Sequence, residues 1–168
     1  MDDLRPTMPG RAVRWVRPEG IHLTLKFLGD VSSDALPDIK AATENATAGI
    51  GSISLRAEGL GCFPNMKRPR VLWIGLKGQL DALRSLRDQV EEQVSPLGYP
   101  TEKRPFNPHL TLGRVKSSNI REVSAIGKAV EATTIGEVAG WTAKSVSIMQ
   151  STLRPDGAIY AALETYNL

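Results

Sequence analysis

The sequence predicts an α+β fold with two similar lobes and a cleft between them. Two observations lead there. Stretches of strand-type alternation are interleaved with stretches of helical periodicity along the chain. The only two histidines each open the same four-residue word, His22-Leu23-Thr24-Leu25 and His109-Leu110-Thr111-Leu112. A run of strand, helix and strand follows each word, which reads as an approximate internal duplication.

The elements follow in order. Residues 1–11 read as irregular, with Pro6, Pro9 and Gly10. Ala12–Val16 reads as a short strand stopped by Pro18 and Gly20. Ile21–Leu28 alternates, with Leu23, Leu25 and Phe27 on one face and His22, Thr24 and Lys26 on the other. Gly29-Asp30 breaks that strand, and Ser32 or Ser33 is placed to cap a helix running to about Ala48. Ile53–Phe63 is a strand weakened at Gly59 and Gly61, and residues 64–70 are a basic loop. Val71–Leu76 is a buried-type strand. Leu80, Leu83, Leu86, Val90, Val94 and Leu97 recur every three or four residues, the clearest helix in the chain, and Gly98 ends it. Thr101–Pro108 is a second basic connection leading into the strand of the second word. Asn119–Glu131 is a helix with Ile120, Val123, Ile126 and Val130 on one face. Thr142–Thr152 and Ala158–Thr165 are paired strands joined through Arg154-Pro155-Asp156-Gly157, which has hairpin-turn chemistry.

At 168 residues the chain suits one domain built from two lobes. The hydrophobic fraction of 41% and charged fraction of 23% are those of an ordinary globular protein. The net charge of +3 permits a polyanionic partner without demanding one. Cys62 is the only cysteine, so no intramolecular disulfide can form, which fits a reducing compartment. No apolar run reaches membrane-spanning length and the N-terminus has no signal-peptide core. A cytoplasmic monomer that uses no cofactor and does not engage membranes is the expectation.

On a strand, residues two apart point the same way. His22 and Thr24 would then face one surface while their leucines anchor the strand, and His109 and Thr111 would repeat the arrangement. Two imidazoles and two hydroxyls suit phosphodiester hydrolysis. A neutral imidazole takes a proton from water, and a protonated one gives a proton to the leaving oxygen. An unperturbed imidazole titrates near 6.5, so histidine fills both roles near neutral pH. Threonine hydroxyls can donate to the non-bridging phosphate oxygens. Arg114, just beyond the second word, can meet developing negative charge.

Other readings are weaker. Zinc wants three or four protein ligands, and neither word has a carboxylate or cysteine at ligand spacing. Cys62, between Gly61 and Phe63, reads as a buried strand cysteine rather than a nucleophile. Trp15, Trp73 and Trp141 read as core. Lys67-Arg68-Pro69-Arg70 and Lys103-Arg104 are either solvated surface charge or a basic rim for a nucleic-acid backbone. No glycine-rich nucleotide loop is present.

Several segments taken together resemble one family. They are Val13-Arg14-Trp15-Val16-Arg17-Pro18, then His22-Leu-Thr-Leu-Lys-Phe-Leu-Gly29, then Gly61-Cys-Phe-Pro-Asn65. Arg68-Pro-Arg-Val-Leu-Trp-Ile-Gly75 and Phe106-Asn-Pro-His-Leu-Thr-Leu-Gly-Arg114 complete the set. In this order they resemble the two-histidine phosphoesterases, and within them the RNA 2′,3′-cyclic phosphodiesterases, also called 2′-5′ RNA ligase or LigT-like proteins. The resemblance implies two antiparallel-sheet lobes with flanking helices and the words facing across a central cleft. It implies metal-independent opening of a 2′,3′-cyclic phosphate on RNA or a nucleotide to a 2′-phosphomonoester. By the same analogy His22 is the proton donor, His109 the proton acceptor, and Thr24, Thr111 and Arg114 hold the phosphate. Members of the family carry a strand and helix before the Arg-Trp-Val segment, where this sequence has only Met1–Gly10, so a single bilobal domain without that pair is expected. A non-catalytic RNA-binding module, and 2′-5′ ligation as the reverse reaction at the same site, are the competing functions.

Overall fold

The larger sheet has five strands in the order β1-β4-β3-β2-β5. The computed structural model describes Met8, residues 11–154 and residues 157–168. The sheet strands are β1 (Val13–Trp15), β2 (Ile53–Phe63), β3 (Val71–Gly78), β4 (His109–Val115) and β5 (Ala139–Ala143). β4 is antiparallel to both β1 and β3. A two-stranded antiparallel sheet joins β6 (Ser145–Arg154) to β7 (Gly157–Asn167). The helices are α1 (Leu36–Thr47), α2 (Leu80–Val94) and α3 (Ile120–Ala132). The α+β class and the antiparallel pairing are therefore those expected.

The chain divides into two compact units. The first holds Met1–Leu23, Arg56–Lys77 and Pro108–Gly140. Its core gathers Met8, Ala12 and Val13 with Cys62, Leu72 and Val115 from the sheet and Ile126 and Val130 from α3. Strand alternation explains this: Leu72, Ile74 and Leu76 are buried, while Val71, Trp73 and Gly75 between them are not. Asn119 caps α3, its side-chain oxygen accepting from the amides of Arg121 and Glu122 at 2.9 and 3.5 Å. Asn119→Ala should cost about 1 kcal/mol of unfolding free energy, readable as a lower denaturation midpoint. An unchanged midpoint would deny the cap its role.

The second unit holds Thr24–Leu55, Gly78–Asn107 and Trp141–Leu168. α1 and α2 pack together there. α2 buries Leu83, Leu86, Val90 and Val94 of the stripe its sequence predicts, whereas Leu97 falls in the 3-10 turn that follows and is 37% exposed. α1 buries Thr43 and Thr47, whose hydroxyls are satisfied by donating to the carbonyls of Ile39 and Thr43 one turn back. An isolated hairpin is marginal in water. Here α1 packs on β6 and β7, and Lys40 pairs with Glu164 at 3.0 Å.

Four expectations need correction. Ile21–Leu28 forms no strand. Exposure alternates only as far as a bend at Leu25, beyond which Phe27 is 81% exposed and the Lys26 side chain only 7%. Phe27 therefore does not join the leucine face, because Lys26 is drawn inward by a buried carboxylate. Neither serine caps α1: a 3-10 turn at Ser33–Ala35 precedes it, and Ser32 makes no side-chain cap bond. Ile120 is 86% exposed and lies off the apolar face of α3, because it opens the helix ahead of the turns that meet the core. Thr142 and Ala143 end β5 in the larger sheet, so the hairpin strand starts only at Ser145. Pro155 and Asp156 of the expected turn, and residues 1–7, 9 and 10 of the irregular start, lie outside the described residues. Among the described residues, no helix is long and apolar enough to cross a membrane.

Candidate active site

β4 carries the second word, and its register explains how the site is built. His109 lies opposite Gly75 of β3, and Thr111 opposite Trp73. The register then shifts: Leu72 faces Gly113 and Val71 faces Arg114. β4 thus holds one extra residue, a bulge at Leu112-Gly113. Val71, Trp73 and Gly75 share one face of β3, so their partners Arg114, Thr111 and His109 share the same face of the sheet. In a regular strand Arg114, three residues after Thr111, would point to the opposite side. The bulge returns it to the side of the histidine. Leu112 and Gly113 are both buried at the bulge.

β1 adds to this face. Arg14 lies directly opposite Arg114, so the two guanidinium side chains are cross-strand neighbours. Like charges opposed on a sheet are unfavourable alone and are favoured by an anion between them. Two aromatic rings wall the histidine. Phe63 meets the His109 imidazole edge-on at 5.0 Å between centroids, and Trp73 lies 6.1 Å away. Phe63 and Trp73 also touch each other at 5.2 Å. The Trp73 ring occupies the place where residue 61 would carry a side chain: a Cβ on Gly61 would fall 2.2 Å from it. Half-buried His109 and Thr111 thus stand beside apolar walls, with exposed Arg114 at the edge.

His22 follows a 3-10 turn at Pro18–Gly20. Its Nδ1 lies 2.8 Å from the Gly20 carbonyl. A carbonyl only accepts, so Nδ1 carries the proton and donates, and Nε2 is the nitrogen left for proton exchange. His22 and Thr24 are exposed. Both histidines, Thr111 and Arg114 belong to the first unit; Thr24 begins the second unit's first segment. Among the described residues, no three His, Cys, Asp or Glu side chains gather as a metal-binding group. Cys62 is buried, and burial raises its thiol pKa, which suits a packing role.

Sequence reasoning missed three members of this face. Arg14 was visible as a basic residue on a strand, but its pairing with Arg114 is a matter of register. Phe63 stands in a segment that carries the resemblance, but nothing there assigns it a place beside His109. Trp73 was read as core; it packs instead on the face opposite the buried leucines of β3. Trp15 does lie against the core.

The family model for LigT-like phosphoesterases matches residues 1–73 and 74–160. A protein of Aeropyrum pernix named RNA 2′,3′-cyclic phosphodiesterase is 36% identical over 154 residues, 92% of this chain and 85% of that one. One of Archaeoglobus fulgidus with the same name is 38% identical over 154 residues, 92% of this chain and 83% of its own. A crystal structure from Thermus thermophilus superposes with a TM-score of 0.78 at 28% identity, covering 99% of this chain and 88% of the other. With the family model spanning nearly the whole sequence and relatives this similar along most of it, the chain belongs to the LigT-like phosphoesterase family.

Proposed function

We propose that this protein opens 2′,3′-cyclic phosphates on RNA or nucleotides, giving 2′-phosphomonoesters without a metal ion. The observation that carries the reading is the convergence of His109, Thr111 and Arg114 on one sheet face through the β4 bulge. The name shared by relatives at 36% and 38% identity points to the same reaction. His109 takes a proton from water as the water oxygen bonds to phosphorus. The bond from phosphorus to the 3′ oxygen breaks, and His22 gives that oxygen a proton from Nε2. The product carries a 2′-phosphate and a free 3′ hydroxyl. Thr24 and Thr111 donate to the non-bridging oxygens, and Arg114 offsets the charge that grows on them. The Gly20 carbonyl accepts from Nδ1 of His22 in either protonation state, so the ring keeps its orientation through the proton transfer. The 168 residues act as one monomeric, cytoplasmic domain.

The test is product identity. Incubated with adenosine 2′,3′-cyclic phosphate, the protein should yield adenosine 2′-phosphate, resolved from the 3′ isomer by chromatography. Full activity should persist in EDTA. A 3′-phosphate product would reverse the assignment of the leaving oxygen, and complete loss in EDTA would point to a metal hydrolase.

A further inference from the structure

Glu91 of α2 is a carboxylate inside the second unit, its side chain 4% exposed. A charge so placed is costly unless it is fully paired. It is paired three ways. Lys26 Nζ lies 2.5 Å from Oε2, Arg87 Nη2 lies 3.1 Å from Oε1, and the Glu102 backbone amide donates to Oε2 at 3.3 Å. The cations are themselves held. Lys26 also donates to the Pro100 carbonyl at 2.7 Å. Arg87 donates to the Glu102 carbonyl at 3.3 Å and lies 5.7 Å from the Phe106 ring centroid.

The partners belong to two stretches of chain. Lys26 is two residues beyond Thr24 and four beyond His22. Pro100, Glu102 and Phe106 lie on the connection that enters β4 at His109. That connection has no helix or strand of its own between the 3-10 turn at Ser95–Leu97 and β4, and residues 21–32 have none either. Neither stretch has a backbone ladder to fix it. One buried carboxylate and its two cations touch both.

We propose that Glu91 is a positioning residue, holding the segment that follows His22 and Thr24 and the segment that leads into His109 in register. The part of this that concerns turnover rests on the cyclic phosphodiesterase reading. Catalytic groups displaced by about 1 Å lose roughly a hundredfold in rate, so small slippage matters.

The test uses the full chain and has a readout besides activity. With only two histidines, the imidazole carbon–proton resonances are two sets, assignable with His22→Ala and His109→Ala. Glu91→Gln keeps the size and removes the charge. It should move or broaden both sets of ring signals and lower kcat about 10- to 100-fold, with KM changed less than about threefold. Glu91→Asp, which keeps the charge one methylene short, should recover part of each change. Lys26→Met leaves Glu91 paired with Arg87 and carries the same test if Glu91→Gln does not melt cooperatively. Ring signals that superpose on the wild type in a folded variant overturn the positioning role, as does unchanged kcat. Wild-type protein that fails to open a cyclic phosphate overturns the functional reading instead, and the ring signals still decide the role of Glu91.

Discussion

His22→Ala and His109→Ala should each lower kcat for cyclic phosphate opening by about 10² to 10⁴, the contribution of one acid or base group. The two losses should differ in kind. If His22 protonates the leaving oxygen, its removal matters least when that oxygen needs no proton. An aryl phosphodiester with p-nitrophenolate as leaving group supplies that case. On it, His22→Ala should retain far more of the wild-type rate than on a nucleotide, whereas His109→Ala should remain impaired on both. The wild-type profile of kcat/KM against pH should be bell-shaped, because one ring must be neutral and the other charged in the same molecule. Each alanine variant should lose one limb of the bell. Near-normal turnover of a 2′,3′-cyclic nucleotide by either variant would remove the two-histidine mechanism. Equal losses on both substrates would leave catalysis in place but strip His22 of the acid role.

The largest stability effect outside that face is expected from Gly127→Ala. Gly127 sits in the middle of α3, beside the fully buried Ile126. A Cβ there would fall 1.9 Å from the Met66 carbonyl oxygen and 3.0 Å from its carbon. Both are backbone atoms, so no rotamer change relieves the clash. The helix or the loop holding Met66 must move, and both border the same core. Alanine is the better helix former by about 1 kcal/mol, which offsets part of the strain. A net loss of about 3 kcal/mol is expected, at the upper end for overpacking. For a chain of this size that lowers the melting temperature by roughly 6–12 °C. Ser124→Ala, exposed on the same helix, is the control and should change little. A melting temperature for Gly127→Ala at or above wild type would mean that α3 does not approach the Met66 backbone so closely.

What could be read from the sequence depended on how local its cause was. α2 was legible because its burial stripe is a property of one helix, and the first half of β2 because burial alternates from Ile53 to Ala57. The Asn119 cap is likewise local, a side chain bonding amides two and three residues on. Ile21–Leu28 misled because alternation marks an extended chain whether or not a neighbouring strand pairs with it. The burial of Lys26 depended on Glu91, sixty-five residues away. In the site, His109 and Thr111 could be placed together from spacing alone. Arg114 was chosen for its charge, yet its orientation rests on a bulge that spacing contradicts. Arg14, Phe63 and Trp73 enter through cross-strand pairing and ring packing, which no single stretch of sequence encodes.

The bulge has a consequence for how this chain can vary over evolutionary time. A strand ordinarily tolerates exchange of one side chain for another and suffers when its pairing slips by one residue. At β4 the irregular count is itself what turns Arg114 toward His109. Replacing Leu112 by another apolar residue leaves that count intact. Gaining a single residue between Thr111 and Arg114 with the bulge in place would swing the guanidinium to the side packed by α3, whereas losing one would restore an even pleat that keeps it on the side of Thr111. In this stretch the number of residues carries information as much as their identity: point changes leave the guanidinium on its face, and an added residue does not.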